Sequence, residues 1–145
     1  MYQYDLSGYL PSANELLDSD ETPVDNELQE LIPGLLKAIL LMLWGQRMDW
    51  FLGIDMGVYY DSTKPPIVPD AFLSLGAERF YQEELRSCYV LWEEQVVPHF
   101  VLEVVSNKYR KEYSGKLHEY ESLGVLYYAI YGSSPRRKLR LEVHK

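Results

Sequence analysis

A chain of 145 residues, 47% of them hydrophobic and 13 of them tyrosine, can build one packed core and is short for two stable domains. Its single cysteine, Cys88, excludes an internal disulfide framework and a cysteine-based zinc site, and its longest apolar run, Leu35 to Trp44, contains Lys37 and is too short to span a bilayer. The formal net charge of −8 argues against a nucleic-acid partner, but eight of the acids fall in residues 1–30, where there is no Lys or Arg.

Residues 1–21 lack periodicity and read as an acidic N-terminal arm with one short turn near Asn14 to Leu17, which leaves 22–145 as the folded domain. Met1 to Asp5 has no basic region and no apolar signal core. With the lone cysteine, this leads to the expectation of a cytoplasmic protein without a membrane partner. A helix starts at Thr22 as N-cap with Pro23 in its first turn, and Leu28, Leu31, Ile32, Leu35, Ile39 and Leu43 recur at helical spacing before Gly45. Pro33-Gly34 inside that pattern is expected to kink or split it. From Asp49 to Tyr60 the period is two, which predicts a long strand or bent hairpin. Further strands are expected at Ile67 to Ser74, Ser87 to Trp92 and His99 to Ser106, the last nearly all apolar, as for a strand covered on both faces. A helix from about Lys108 to Leu123 ends at Gly124, and strands over Val125 to Tyr131 and Lys138 to Val143 close the chain. The order predicts a mixed α/β fold with helices packed on a central sheet. From Val104 onward nine Lys and Arg outnumber four Asp and Glu, so this third can meet phosphates, although a solvated surface explains the same charges equally well.

Three residues do not fit a plain core. Glu103 shares a strand face with Val101 and Val105, where an unpaired carboxylate is costly and must be paired, protonated or metal-bound. A Glu near a strand end that meets water or an Arg is the plainer alternative. Lys116 falls within the apolar stripe Tyr109, Tyr113, Leu117, Tyr120 and Leu123 on a wheel of about 100° per residue. If the helix folds back along the sheet, the three strand steps to Ser106 and the seven helical steps from Tyr109 are each about 10 Å and bring Lys116 level with Glu103. A lysine whose stem merely covers apolar surface competes with that reading. Asp70 alternates with Val68 and Phe72, although Pro69-Asp70 alone is usually a turn. Asp55, between Gly53 and Gly57, is a secondary ligand candidate. No nucleophile elbow, P-loop, dinucleotide fingerprint or H-E-x-x-H motif occurs, and His99, His118 and His144 have no ligand spacing.

Pro69-Asp70, Glu103-Val104-Val105-Ser106 and Arg110-x-Glu112-x-x-x-Lys116-x-x-x-Tyr120-x-x-x-Gly124-Val125 together resemble the Uma-two family of restriction endonucleases, within the PD-(D/E)XK nuclease superfamily. The likeness runs from about Thr22 to Val143. It implies a restriction-endonuclease-like central mixed sheet flanked by helices, with an α-β-β-β-α-β core and extra strands. It also implies Asp70 and Glu103 as acidic metal ligands, the Val104 carbonyl as a backbone ligand, and Lys116 in place of the lysine that many superfamily members carry two positions after the Glu, where this chain has Val105. Arg110 becomes a candidate phosphate contact. Glu112, Tyr120 and the first-helix acids Glu27 and Glu30 are secondary candidates without assigned roles.

Such groups suit hydrolysis of a DNA phosphodiester. Two carboxylates can hold Mg²⁺ or Mn²⁺ with room for phosphate and water, and a lysine beside them can orient or deprotonate water and stabilise developing charge. The expectation is a metal-dependent endodeoxyribonuclease, with a homodimer as a way to supply the second half of a DNA groove. The alternative is a catalytically silent nuclease-fold module that binds nucleic acid or protein.

Overall fold

The computed structural model describes residues 8–16, 27–105, 112–132 and 140–145. In chain order they form a 3₁₀ turn (Ala13–Glu15), α1 (Glu27–Trp44), β1 (Trp50–Ile54), β2 (Val58–Tyr59), β3 (Ala71–Leu75), β4 (Tyr89–Val90), α2 (Leu91–Glu94), β5 (Phe100–Val105), α3 (Glu112–Leu123), β6 (Tyr127–Gly132) and β7 (Leu141–His144). A five-stranded sheet has the order β1-β3-β5-β6-β7 and is antiparallel except for the β5–β6 pair, whose parallel direction requires a crossover, here containing α3. The series α1-β1-β3-β5-α3-β6 is the expected α-β-β-β-α-β core; β7 and the small parallel sheet β2–β4 are the extra strands.

Alternation along β5 divides the core into two layers. Val101 and Val105 join Tyr120, Leu123, Tyr128 and Ile130 on the α3 side, while Leu102 and Val104 meet Leu28, Ile32 and Leu36 of α1 on the other. Covered on both faces, β5 is apolar throughout except for Glu103.

Several local expectations change. Pro33-Gly34 does not split α1, which runs unbroken through it. Pro33 is fully buried, and packing on the sheet outweighs the ~3 kcal/mol that an interior proline costs. Only part of the expected apolar stripe faces inward: Leu28 and Ile32 do, but Leu31, Leu35, Ile39 and Leu43 are exposed. Thr22 and Pro23 lie outside the described residues. The stretch from Asp49 to Tyr60 is neither one strand nor a hairpin, because β1 ends at Ile54, Asp55 takes a left-handed φ of 46°, and β2 pairs with β4 instead. Gly53 is required by close packing, since a Cβ there would stand 2.3 Å from the Phe72 ring. The third strand begins only at Ala71, and Ile67 makes an isolated bridge to Val58. Ser87 to Trp92 supplies two strand residues before Leu91 turns into α2. Gly124, at φ 88°, closes α3.

The expected N-terminal turn lies at Ala13–Glu15, and the segment around it is docked. Trp92 Nε1 donates to the Pro11 carbonyl at 3.0 Å, Ala13 N donates to Glu93 Oε1 at 3.1 Å, and Ala13 and Leu16 pack on Tyr59, Cys88 and Val90. The polar stretch from Gly76 to Arg86 is tied down by Arg86. Its guanidinium donates to Glu94 and to the carbonyls of Arg79 and Glu78, and stacks 4.2 Å from the Phe51 ring centroid.

Candidate active site

β5 brings Glu103 to the α3 side of the sheet at only 6% exposure. Two donors from α3 meet it at one oxygen: Lys116 Nζ lies 3.1 Å from Glu103 Oε1, and the Tyr120 hydroxyl donates to the same atom at 2.7 Å. The residues are four apart, so one helical face presents both. The Lys116 side chain is 39% exposed, which puts its ammonium at the rim while Tyr120 sits beneath it in the core.

Asp70 reaches the same place from the residue before β3. Its Oδ2 accepts a hydrogen bond from Val104 N at 2.5 Å, and its own carbonyl accepts one from Asp55 N at 3.2 Å. In the extended register Val104 faces Pro69, which has no N–H to offer the Val104 carbonyl, while the Val104 amide donates to the Asp70 carboxylate. Burial and, next, the charge of Glu103 push the Asp70 carboxyl up to about 7; the Val104 amide and Lys116 oppose this, and Asp55 adds to it. Burial and the adjacent Glu103 hold the Tyr120 phenol well above its ordinary value, so it stays a protonated donor.

The structure thus gathers Asp70, Glu103, the Val104 backbone, Lys116 and Tyr120. Among the described residues no three His, Cys, Asp or Glu side chains form a group that could hold a metal ion, so Asp55 is close enough to be felt by Asp70 without completing a third ligand. Glu27 and Glu30 are exposed at the start of α1, across the sheet from Glu103. Arg110 lies outside the described residues, as does the side chain of Glu112. His99 Nδ1 accepts from Leu75 N, and His118 and His144 stand beside Glu121 and Glu142, as ordinary strand-end and surface residues do. The role of Tyr120 as a donor was open in the sequence, where only its place in the Lys116 stripe pointed to it. Arg86 gave no signal.

A mixed sheet with this order of helices and strands is similar to a known nuclease-like fold. A solved structure from Anabaena variabilis, described as "a putative nuclease belonging to DUF820", aligns with a TM-score of 0.58 at 11% identity over 83% of this chain and 69% of that one. Residues 13–145 match the family described as "Uma2: Putative restriction endonuclease", and the chain belongs to that family. No curated protein matches it. No helix among the described residues is long and apolar enough to cross a membrane.

Proposed function

We propose that the protein is a metal-dependent endonuclease that hydrolyses DNA phosphodiester bonds, with Asp70, Glu103 and Lys116 as its catalytic residues. The observation that carries this reading is the meeting of an acid from the β3 end, an acid from β5 and a lysine from α3 at one partly open place.

The donor set fits Mg²⁺ or Mn²⁺. Burial first, and then the charge of Glu103, raise the Asp70 carboxyl to about 7, so the two acids form a site where a cation would replace that proton. A small hard cation that keeps several waters needs only one or two protein carboxylates. Asp70 and Glu103 would hold it, and the Val104 carbonyl would add a third oxygen, because a strand residue's C=O and N–H leave on the same side and that N–H already points to Asp70. When bound, the metal neutralises phosphate charge and favours ionisation of water.

The chain's own groups do the rest. Glu103 is oriented by Tyr120, which fixes Oε1 and with it the rotation of the carboxylate. Lys116, at the rim, can turn its ammonium toward the reacting phosphate, orient the attacking water and stabilise developing charge. Arg110 would contact a flanking phosphate. The silent-module alternative is favoured by one feature, the engagement of Glu103 Oε1 within the chain by the Lys116 ammonium and the neutral Tyr120 hydroxyl. Plasmid nicking separates the two: wild type should cleave with Mg²⁺ or Mn²⁺ and stop with chelator, and Glu103→Gln should not cleave. Intact plasmid under every metal condition would leave the silent module.

A further inference from the structure

The outer flank of α1 is apolar, although no described residue buries it. Leu31, Leu35, Ile39 and Met42 follow one another at three- and four-residue spacing and range from 44% exposed at Ile39 to 87% at Met42. On a wheel of about 100° per residue, the buried stripe Leu28, Ile32, Leu36 and Leu40 separates this flank from Lys37. Lys37 is half-buried with Arg79 as its charged neighbour, and Arg79 stacks over Trp50 of β1. The Lys37 flank therefore faces the β1 edge, and the Leu31 flank faces the β6–β7 half of the same sheet face. There Leu141 and Val143, opposite Tyr131 and Ala129, are more than half exposed. An apolar ridge runs beside an apolar floor.

We propose that this surface joins two copies of the chain in a two-fold dimer, the α1 ridge of each copy seated on the β6–β7 floor of the other. The six side chains expose roughly 600 Å² of apolar surface, at the upper end for a monomer and, with a rim, near the ~800 Å² per partner of a standard interface. Because ridge and floor lie on one surface, a two-fold axis satisfies both at once and leaves no sticky face for further growth. The row Leu31, Leu35, Ile39 and Met42 is wholly apolar, and Lys37 lies on the opposite side of the buried stripe, so association desolvates no ion on the ridge. A lipid surface suits it poorly: the chain carries a net charge of −8, and Glu27 and Glu30 stand at the start of α1. The interface lies across the sheet from Glu103, so it is independent of the nuclease reading and leaves that site open.

Sedimentation equilibrium of the full chain over micromolar concentrations, with and without vesicles of mixed neutral and anionic lipid, tests the proposal. Wild type should behave as a dimer without lipid. Leu35→Glu on the ridge and Val143→Lys on the floor should each raise the dimer dissociation constant by about 100-fold or more, as when a central contact is lost to a buried charge. Both positions are exposed in the monomer, so melting curves should remain cooperative and metal-dependent nicking per chain should be unchanged. A wild type that stays monomeric, whether or not it binds vesicles, overturns the proposal. So does a dimer that both variants leave intact.

Discussion

Lys116 and Tyr120, one turn apart on α3, share a single oxygen of Glu103. The exposed ammonium and the buried phenol thus hold the same carboxylate from two depths. Tyr120→Phe keeps the ring contact with Tyr128, whose centroid is 5.2 Å away, and removes only the donor. A hydrogen bond to a charged group contributes about 1.5–3 kcal/mol, so urea denaturation should show a loss of that size. Metal-dependent nicking should fall as well, through kcat rather than KM for DNA. Unchanged stability and kcat would remove Tyr120 from the site.

Lys116→Met keeps the stem and deletes the charge. If Lys116 acts on water or phosphate, nicking with Mn²⁺ should fall by about a hundredfold or more. The rise in melting temperature caused by metal should persist, because both carboxylates remain. Equal cleavage by variant and wild type would make Lys116 a structural partner of Glu103 only.

Asp70 gives a pH signature. Its carboxyl is raised from 3.8 to about 7, so the native state binds its proton more tightly than the unfolded chain does. The resulting stabilisation is fully present below about pH 4 and is lost as pH rises through about 7, with a slope of at most about 1.4 kcal/mol per pH unit. Without metal, Asp70→Asn should flatten that slope between pH 4 and 7. With Mg²⁺, which competes with the proton, the melting-temperature increase should be larger at pH 8 than at pH 5.5 and absent in the variant. Superimposable pH profiles for the two proteins would contradict the shift.

Arg86 and Glu94 form a pair at 2.5 Å with side chains 2% and 5% exposed. Arg86→Met leaves Glu94 buried without its partner and should cost about 3–5 kcal/mol by chemical denaturation. Replacing both with Met should recover much of that loss. A single variant within experimental error of wild type would show that the loop from Gly76 does not depend on this pair.

Gly53→Ala places a methyl carbon against the ring of Phe72, which is itself fully buried between Phe51 and Tyr89. The ring cannot swing away freely, so a loss of about 1–3 kcal/mol is expected. Phe72→Leu in the same chain should relieve part of it, and denaturation of the two variants and their combination measures the coupling.

The parts of this molecule legible in sequence were those governed by strong local patterns. The apolar run of β5 with one Glu, the helical stripe holding Lys116 and Tyr120, and Gly124 at its end specified a strand, a crossover helix and a meeting of charges. The break at Asp55 was not legible, because period two continues through Met56 and Val58 while pairing changes from β3 to β4. The unbroken course of α1 through Pro33 was also hidden, since the sheet that compensates the proline is built from distant residues. Nor could α1 reveal which of its apolar faces is covered. Arg86 was illegible because its partners, Glu94 and the Phe51 ring, come together only in three dimensions.

The sequence distances within the site set an order of assembly. Glu103 is 13 residues from Lys116 and 17 from Tyr120, whereas the Asp70 contact to Val104 closes a span of 34. Shorter spans lose less chain entropy on closure, so β5, α3 and β6 are expected to condense before β3 brings Asp70 in. The second carboxylate then arrives beside a Glu103 already matched by an ammonium and a phenol, and the two acids never meet bare on the way to the native state. Rate measurements on Leu123→Ala and Asp70→Asn would show it: the first should slow folding, and the second should act almost wholly on unfolding.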